Sequence, residues 1–149
     1  MTVQWLDGPV FRAARGMLWT RADATGQAQP LTQGDNPQVP WSFTPDGKRL
    51  AFVENRVGKA VIWTLPVESD RSGLRAGKAQ VFLQTPFAPR SLMISPEGRW
   101  LAYMSNESGT YRVYVQAFPK GSGQRQVSDD GGTYPAWSRN GHEIFFWAI

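Results

Sequence analysis

Cysteine is absent from the 149 residues, which removes disulfides, thiolate nucleophiles and thiolate zinc sites from consideration. Histidine occurs once, so any chemistry that needs an imidazole has a single candidate. Long apolar runs are missing too. The longest are strand-length pieces such as Leu50 to Val53, far short of the ~20 residues of a membrane helix, and no membrane partner is expected. Met1 to Arg21 carries Asp7 and lacks the basic start, unbroken apolar stretch and small-residue cleavage site of a secretory signal, so the expected location is cytoplasmic. Nor is charge concentrated: 16 Lys and Arg are scattered from Arg12 to Arg139 among 12 acids, a balance of +4 without the basic stripe that a nucleic acid would need.

What the chain does have is 15 Gly, 11 Pro and 7 Trp in a background that is 41% hydrophobic. That mixture favours short strands separated by tight turns over long helices, and its length suits one domain. The expected fold class is all-β.

Self-comparison sharpens this. The stretch Phe43-Thr44-Pro45-Asp46-Gly47-Lys48-Arg49-Leu50-Ala51-Phe52 returns after 51 residues as Ile94-Ser95-Pro96-Glu97-Gly98-Arg99-Trp100-Leu101-Ala102-Tyr103. A weaker copy, Trp137-Ser138-Arg139-Asn140-Gly141-His142-Glu143-Ile144-Phe145-Phe146, follows after a further 43. Each copy reads as a strand, a Ser/Thr-x-acid/amide-Gly turn and an alternating apolar strand, in which Pro presets φ and Gly accepts a positive φ. Repeats of ~40 to 50 residues with this content point to propeller blades.

A third and a fourth strand complete each full unit: Ala60 to Leu65 with Ala79 to Leu83, and Arg112 to Phe118 with Arg125 to Ser128. Upstream, Gly16 to Thr20 and Gln29 to Thr32 read as a third and fourth strand alone; downstream, Pro135 to Ser138 and Glu143 to Trp147 read as a first and second. The expected organisation is a half blade over residues 16–32, blades over 39–83 and 90–128, and a half blade over 134–149. About three blades cannot close a ring that needs roughly four to eight. The sequence therefore predicts a homodimer that completes a six-bladed propeller through its split blades, clasped by Trp19, Leu31, Ile144, Phe146 and Trp147.

The segment from Asn36-Pro37 through Phe43-Thr44-Pro45-Asp46-Gly47 to Val53-Glu54 resembles the TolB-like, WD-like repeats of bacterial propellers. Phe82 to Phe87, Ser95 to Gly109, Tyr114 to Pro119 and Gln126 to Gly132 look most like the propellers that follow bacterial eukaryotic-like serine/threonine kinases. The resemblance implies a sensing or interaction module. The kinase itself is absent, since no Gly-rich nucleotide loop, His-Arg-Asp or Asp-Phe-Gly motif occurs.

Candidate chemistry is sparse. His142 aligns with Lys48 and Arg99 and reads as a solvated turn residue; Asp129 and Asp130 are too few oxygens for calcium and read as an inter-blade turn. No catalytic, cofactor or metal residues are assigned. Most Trp residues are expected to pack between blades. The exceptions, Trp5 and Trp41, join Arg71 and Arg75 as a candidate ligand surface, the two arginines forming with Lys78 a basic patch in a long loop. The expected function is non-catalytic binding of a protein, peptide or small ligand. The alternatives are a propeller enzyme of the sialidase, lactonase or peptidase-associated kind, and a mobilised gene fragment with no selected ligand.

Overall fold

A computed structural model describes residues 16–149, and all regular structure among them is β. The first pair, β1 (Leu18–Trp19) and β2 (Gln29–Pro30), is antiparallel. A full sheet follows, with β3 (Gln38–Phe43), β4 (Arg49–Arg56), β5 (Lys59–Asp70) and β7 (Gln80–Thr85) side by side and β6 (Gly73–Ala76) folded back on the far half of β5. The second full sheet is β8 (Arg90–Ile94), β9 (Trp100–Ser105), β10 (Arg112–Ala117) and β11 (Ser122–Gln126), in that spatial order. The last pair is β12 (Thr133–Trp137) with β13 (Ile144–Trp147).

The turn between first and second strands is built three times from the same bonds. Gly47, Gly98 and Gly141 donate their N–H to the carbonyls of Thr44, Ser95 and Ser138, at 2.8, 2.8 and 3.0 Å. The Thr44, Ser95 and Ser138 hydroxyl oxygens accept the amides of Arg49, Trp100 and Glu143 at 3.0, 3.1 and 3.0 Å. All three glycines have φ near +70° (69°, 73° and 76°), where a Cβ would clash with the backbone. The repeated Ser/Thr and Gly in the sequence are therefore the hinges that fold each strand back.

Packing follows from alternation along each second strand, where neighbouring residues face opposite sheets. Leu101 and Tyr103 of β9 face the preceding sheet and form one core with Ala51, Val53, Ile62, Leu92 and Ile94. Leu50 and Phe52 of β4 also face backward and form a second core with Met17, Leu65 and Val67, onto which Leu31 and Leu74 pack. Tyr103 stacks on its cross-strand partner Tyr114 at 6.0 Å between centroids, and Phe52 stacks on Trp63 in the same position of the other sheet at 6.4 Å.

Two expectations need correction. The expected long loop after the third strand is instead the β5–β6 hairpin, so Arg75 sits in a strand opposite Glu68. Asp70 nucleates its turn by accepting the amide of Ser72 at 2.7 Å and pairing with Arg75, while Val67 and Leu74 anchor the hairpin on the core. In the second sheet the fourth strand is Ser122–Gln126 rather than residues 125–128. Every residue of that strand is exposed, so no alternation marked it, and Ser128 beyond it is buried with its Oγ accepting the Val113 amide at 2.9 Å.

Leu101→Ala should cost ~2–5 kcal/mol in urea unfolding, as for other large-to-small changes in close-packed cores. Tyr103→Phe should be neutral or stabilising, because the buried Tyr103 hydroxyl has no hydrogen-bond partner. Burial, with smaller contributions from Glu107 and Tyr114, raises its pKa above the usual 10.0. Tyr103 thus contributes no pH dependence below about pH 10 and withdraws stability above it, as the unfolded phenol ionises first. Urea midpoints measured between pH 8 and pH 11 should fall more steeply for the parent than for Tyr103→Phe.

Candidate functional site

The first strands of successive sheets lie next to one another. Ile94 donates its N–H to Ser42 Oγ at 3.1 Å, and Trp137 Nε1 donates to the Met93 carbonyl at 2.9 Å. Each of these strands carries a bulge at the same repeat position: residues 40 and 41 oppose Phe52, residues 91 and 92 oppose Tyr103, and residues 134 and 135 oppose Phe146. In two copies the leading bulge residue is left-handed, Ser91 at φ 53° and Tyr134 at φ 54°. The remaining copy, the first in the chain, has Pro40, whose ring holds φ near −65°. Pro40 therefore pairs directly with Phe52, and Trp41 becomes the extra residue.

The displacement decides where the indole goes. Leu92, at the equivalent position, is fully buried in the core. Trp41 is exposed and lines a groove of about 350 Å³ with Val39, Val53, Asn55, Pro89 and Arg90. The groove combines an aromatic face, aliphatic walls, a side-chain amide and a guanidinium.

A second concavity, about 930 Å³, lies between the Thr44–Arg49 turn and the β5–β6 hairpin, with Phe118 and Pro119 among its lining residues. Its charges are mixed. The Thr44 hydroxyl and the Lys48 amide hold the Asp46 carboxyl below the ordinary carboxylate range, and the Ser72 hydroxyl and amide do the same for Asp70. Arg75 lines this concavity paired with Asp70, and Arg71 stands in the hairpin turn outside the lining. Trp41 and Arg75 line different concavities, and Trp5 lies outside the described residues.

One buried acid was missed in the sequence. Glu54 accepts Gln38 Nε2 at 3.2 Å and pairs with Arg56, whose guanidinium lies over the Trp63 ring at 5.8 Å. Gln38 in turn accepts the Thr32 hydroxyl at 2.5 Å, and Thr32 Oγ1 accepts the Met17 amide at 2.9 Å. This chain of bonds latches the first pair of strands to the first full sheet. Its signal was faint, because nothing in the spacing of Thr32, Gln38, Glu54 and Arg56 marks them as neighbours.

The expected clasp residues divide. Trp19 lies against Gly73, and Leu31 packs on the core with Met17, so both serve the chain's own first sheet. Ile144 faces the second sheet and lines a small hollow with Trp100 and Val115, while Phe146 lies beside Gly132 and Ser128. Only Trp147 points outward, together with Phe145 and Tyr134, which were not singled out although simple alternation along β13 would have found Phe145. His142 is exposed in the third turn, its amide donating to Asn140 Oδ1 at 3.0 Å. Among the described residues no group of three or more His, Asp or Glu is placed to hold a metal.

Sheets packed face to face, with first strands adjacent and a repeated turn, define a β-propeller fold. It is TolB-like. The chain superimposes on a TolB protein of Agrobacterium tumefaciens with a TM-score of 0.66 at 22% identity, over 81% of this chain and 41% of that one. TolB of Acinetobacter baumannii gives 0.63 at 18% identity, over 80% and 29%. A puromycin-hydrolyzing peptidase of Mycobacterium tuberculosis gives 0.54 at 18% identity, over 79% and 20%. The chain thus spans less than half the length of these structures. No family model and no curated protein matches it.

His142→Ala should change stability by less than ~0.5 kcal/mol, as expected of an exposed turn position. Glu54→Ala should cost ~1–2 kcal/mol by removing the acceptor that the half-buried Gln38 and Arg56 share. Thermal and urea unfolding of the two variants side by side checks both values.

Proposed function

We propose that this chain is a non-catalytic binding module whose ligand is an extended segment of another protein, held in the groove of Trp41. The observation that carries the reading is the indole itself. Every other copy of the bulge buries its second residue, whereas Pro40 turns Trp41 out beside Arg90 and Asn55. Such a groove suits an apolar or proline-containing residue stacked on the ring, with a carboxylate on Arg90 and backbone amides on Asn55. The TolB-like fold supports a binding role, as does the sequence resemblance to sensing propellers that follow bacterial kinases. A hydrolytic reading draws only on structural likeness to peptidases at 15–18% identity, over a fifth or less of their length, which is a likeness of fold.

Linear peptides selected from a displayed library against the intact chain test the proposal. Trp41→Ala and Arg90→Ala should each weaken the selected peptide about tenfold or more, measured by calorimetry, while Arg71→Ala should leave its affinity unchanged. Equal binding by all three variants, or turnover of the peptide, would overturn the reading.

A further inference from the structure

The three repeated turns share their bonds but differ in the residue ahead of the glycine, which is Asp46, Glu97 and Asn140 in chain order. All three are exposed, including the two inside the full sheets. Asp46 Oδ1 accepts the Thr44 hydroxyl at 2.6 Å and the Lys48 amide at 3.0 Å. Asn140 Oδ1 accepts the Ser138 hydroxyl and the His142 amide at the same two distances, 2.6 and 3.0 Å. In the Glu97 copy the Arg99 amide turns to Ser95 Oγ instead, at 3.3 Å. The turn thus offers a short side chain one seat, in which an amide oxygen and a carboxylate oxygen are interchangeable, and a carboxylate accepts such bonds more strongly.

The amide has a chemistry that the carboxylate lacks. Of the four asparagines only Asn140 precedes a glycine; Asn36, Asn55 and Asn106 precede Pro, Arg and Glu. Glycine has no side chain to hinder its own nitrogen, so the Gly141 nitrogen can attack Asn140 Cγ. The attack forms an N–Cγ bond, breaks the Cγ–Nδ2 bond and releases ammonia, which carries off the Gly141 amide proton and leaves a five-membered cyclic imide. Water then opens the ring. Opening at the side-chain carbonyl gives aspartate; opening at the main-chain carbonyl gives isoaspartate, with one more methylene in the backbone. Neither step needs an oxidant, a cofactor or a second protein.

The folded turn holds that reaction back. Gly141 donates its N–H to the Ser138 carbonyl at 3.0 Å, and Cγ is pinned by the two bonds to its oxygen. The Glu97 carboxylate lies so close to Gly141 that a Cβ there would overlap it. Ser138 Oγ is central to the restraint, since it donates to Asn140 and also accepts the Glu143 amide at 3.0 Å. Ring closure needs this set of bonds broken, and hence a local opening of the turn.

We propose that Asn140 is a site of spontaneous deamidation whose rate is set by opening of the Ser138–Glu143 turn, and whose aspartate product folds back into the seat that Asp46 occupies in the first copy. Aspartate keeps the backbone length between the Ser138 carbonyl and the Gly141 amide, whereas isoaspartate does not. The conversion therefore sorts chains into a native-like form with one more negative charge and a form with a damaged turn. The site shares no residue with the Trp41 groove, so either proposal stands without the other.

The intact chain, incubated at mildly alkaline pH and read by peptide mapping with mass spectrometry, should show the mass gain of an amide turned to an acid at residue 140 and not at Asn36, Asn55 or Asn106. A synthetic peptide of residues 137–146 gives the rate of the open turn, and the folded chain should be ~10- to 100-fold slower. Ser138→Ala, and the parent in urea below its unfolding transition, should both move the rate towards that of the peptide. Asn140→Asp should keep the far-UV spectrum and melt no lower than the parent. A chain as fast as the peptide, no conversion in the time a ~100-fold slower reaction would need, a rate unmoved by both Ser138→Ala and urea, or a lower melting point for Asn140→Asp would overturn the proposal.

Discussion

Each sheet in this protein is apolar on both faces, and everything else follows from the need to press both of them against a neighbour. Ala51 and Val53 look forward while Leu50 and Phe52 look backward, so β4 belongs to two cores at once. A sheet of this kind cannot stand alone in water. The cores are therefore formed between sheets, and the chain passes from one to the next without a private interior in any of them.

The polar features are arranged around that requirement. The Ser/Thr and Gly turns close the ends of the strands with bonds that stay within six residues. The Glu54 chain of bonds stays within the first full sheet as far as Gln38 and crosses to the first pair of strands through the neutral Thr32–Gln38 hydrogen bond, where that pair is too short to contribute much apolar area. Fully partnered, it holds position; with one member removed it would leave a buried charge.

Much of this was legible in the residues. The turn chemistry, the four-strand repeat and the identity of most strands follow from Thr44, Ser95, Ser138 and their glycines, because those groups act through local bonds that sequence spacing reports directly. What escaped depended on contacts far apart in the chain. The β5–β6 hairpin hides in a polar segment because only Val67 and Leu74 anchor it. The inward turn of Ile144 and Phe146 needed the facing of β13 to be counted from Leu101 and Tyr103, not from hydrophobicity, since all four residues from Ile144 to Trp147 are apolar. The separation of Trp41 from Arg75 required knowing where the hairpin folds.

Pro40 gives the repeat a property that uniform copies would lack. Duplicated units begin alike, and a surface assembled from identical parts presents the same face everywhere. One imino acid, by refusing a backbone angle that its counterparts accept, converts a buried filler into a displayed aromatic without disturbing the hairpin around it. Specialisation in such an array needs no new loop or insertion, only a backbone veto in a single copy, and any of the remaining bulges could diverge by the same route.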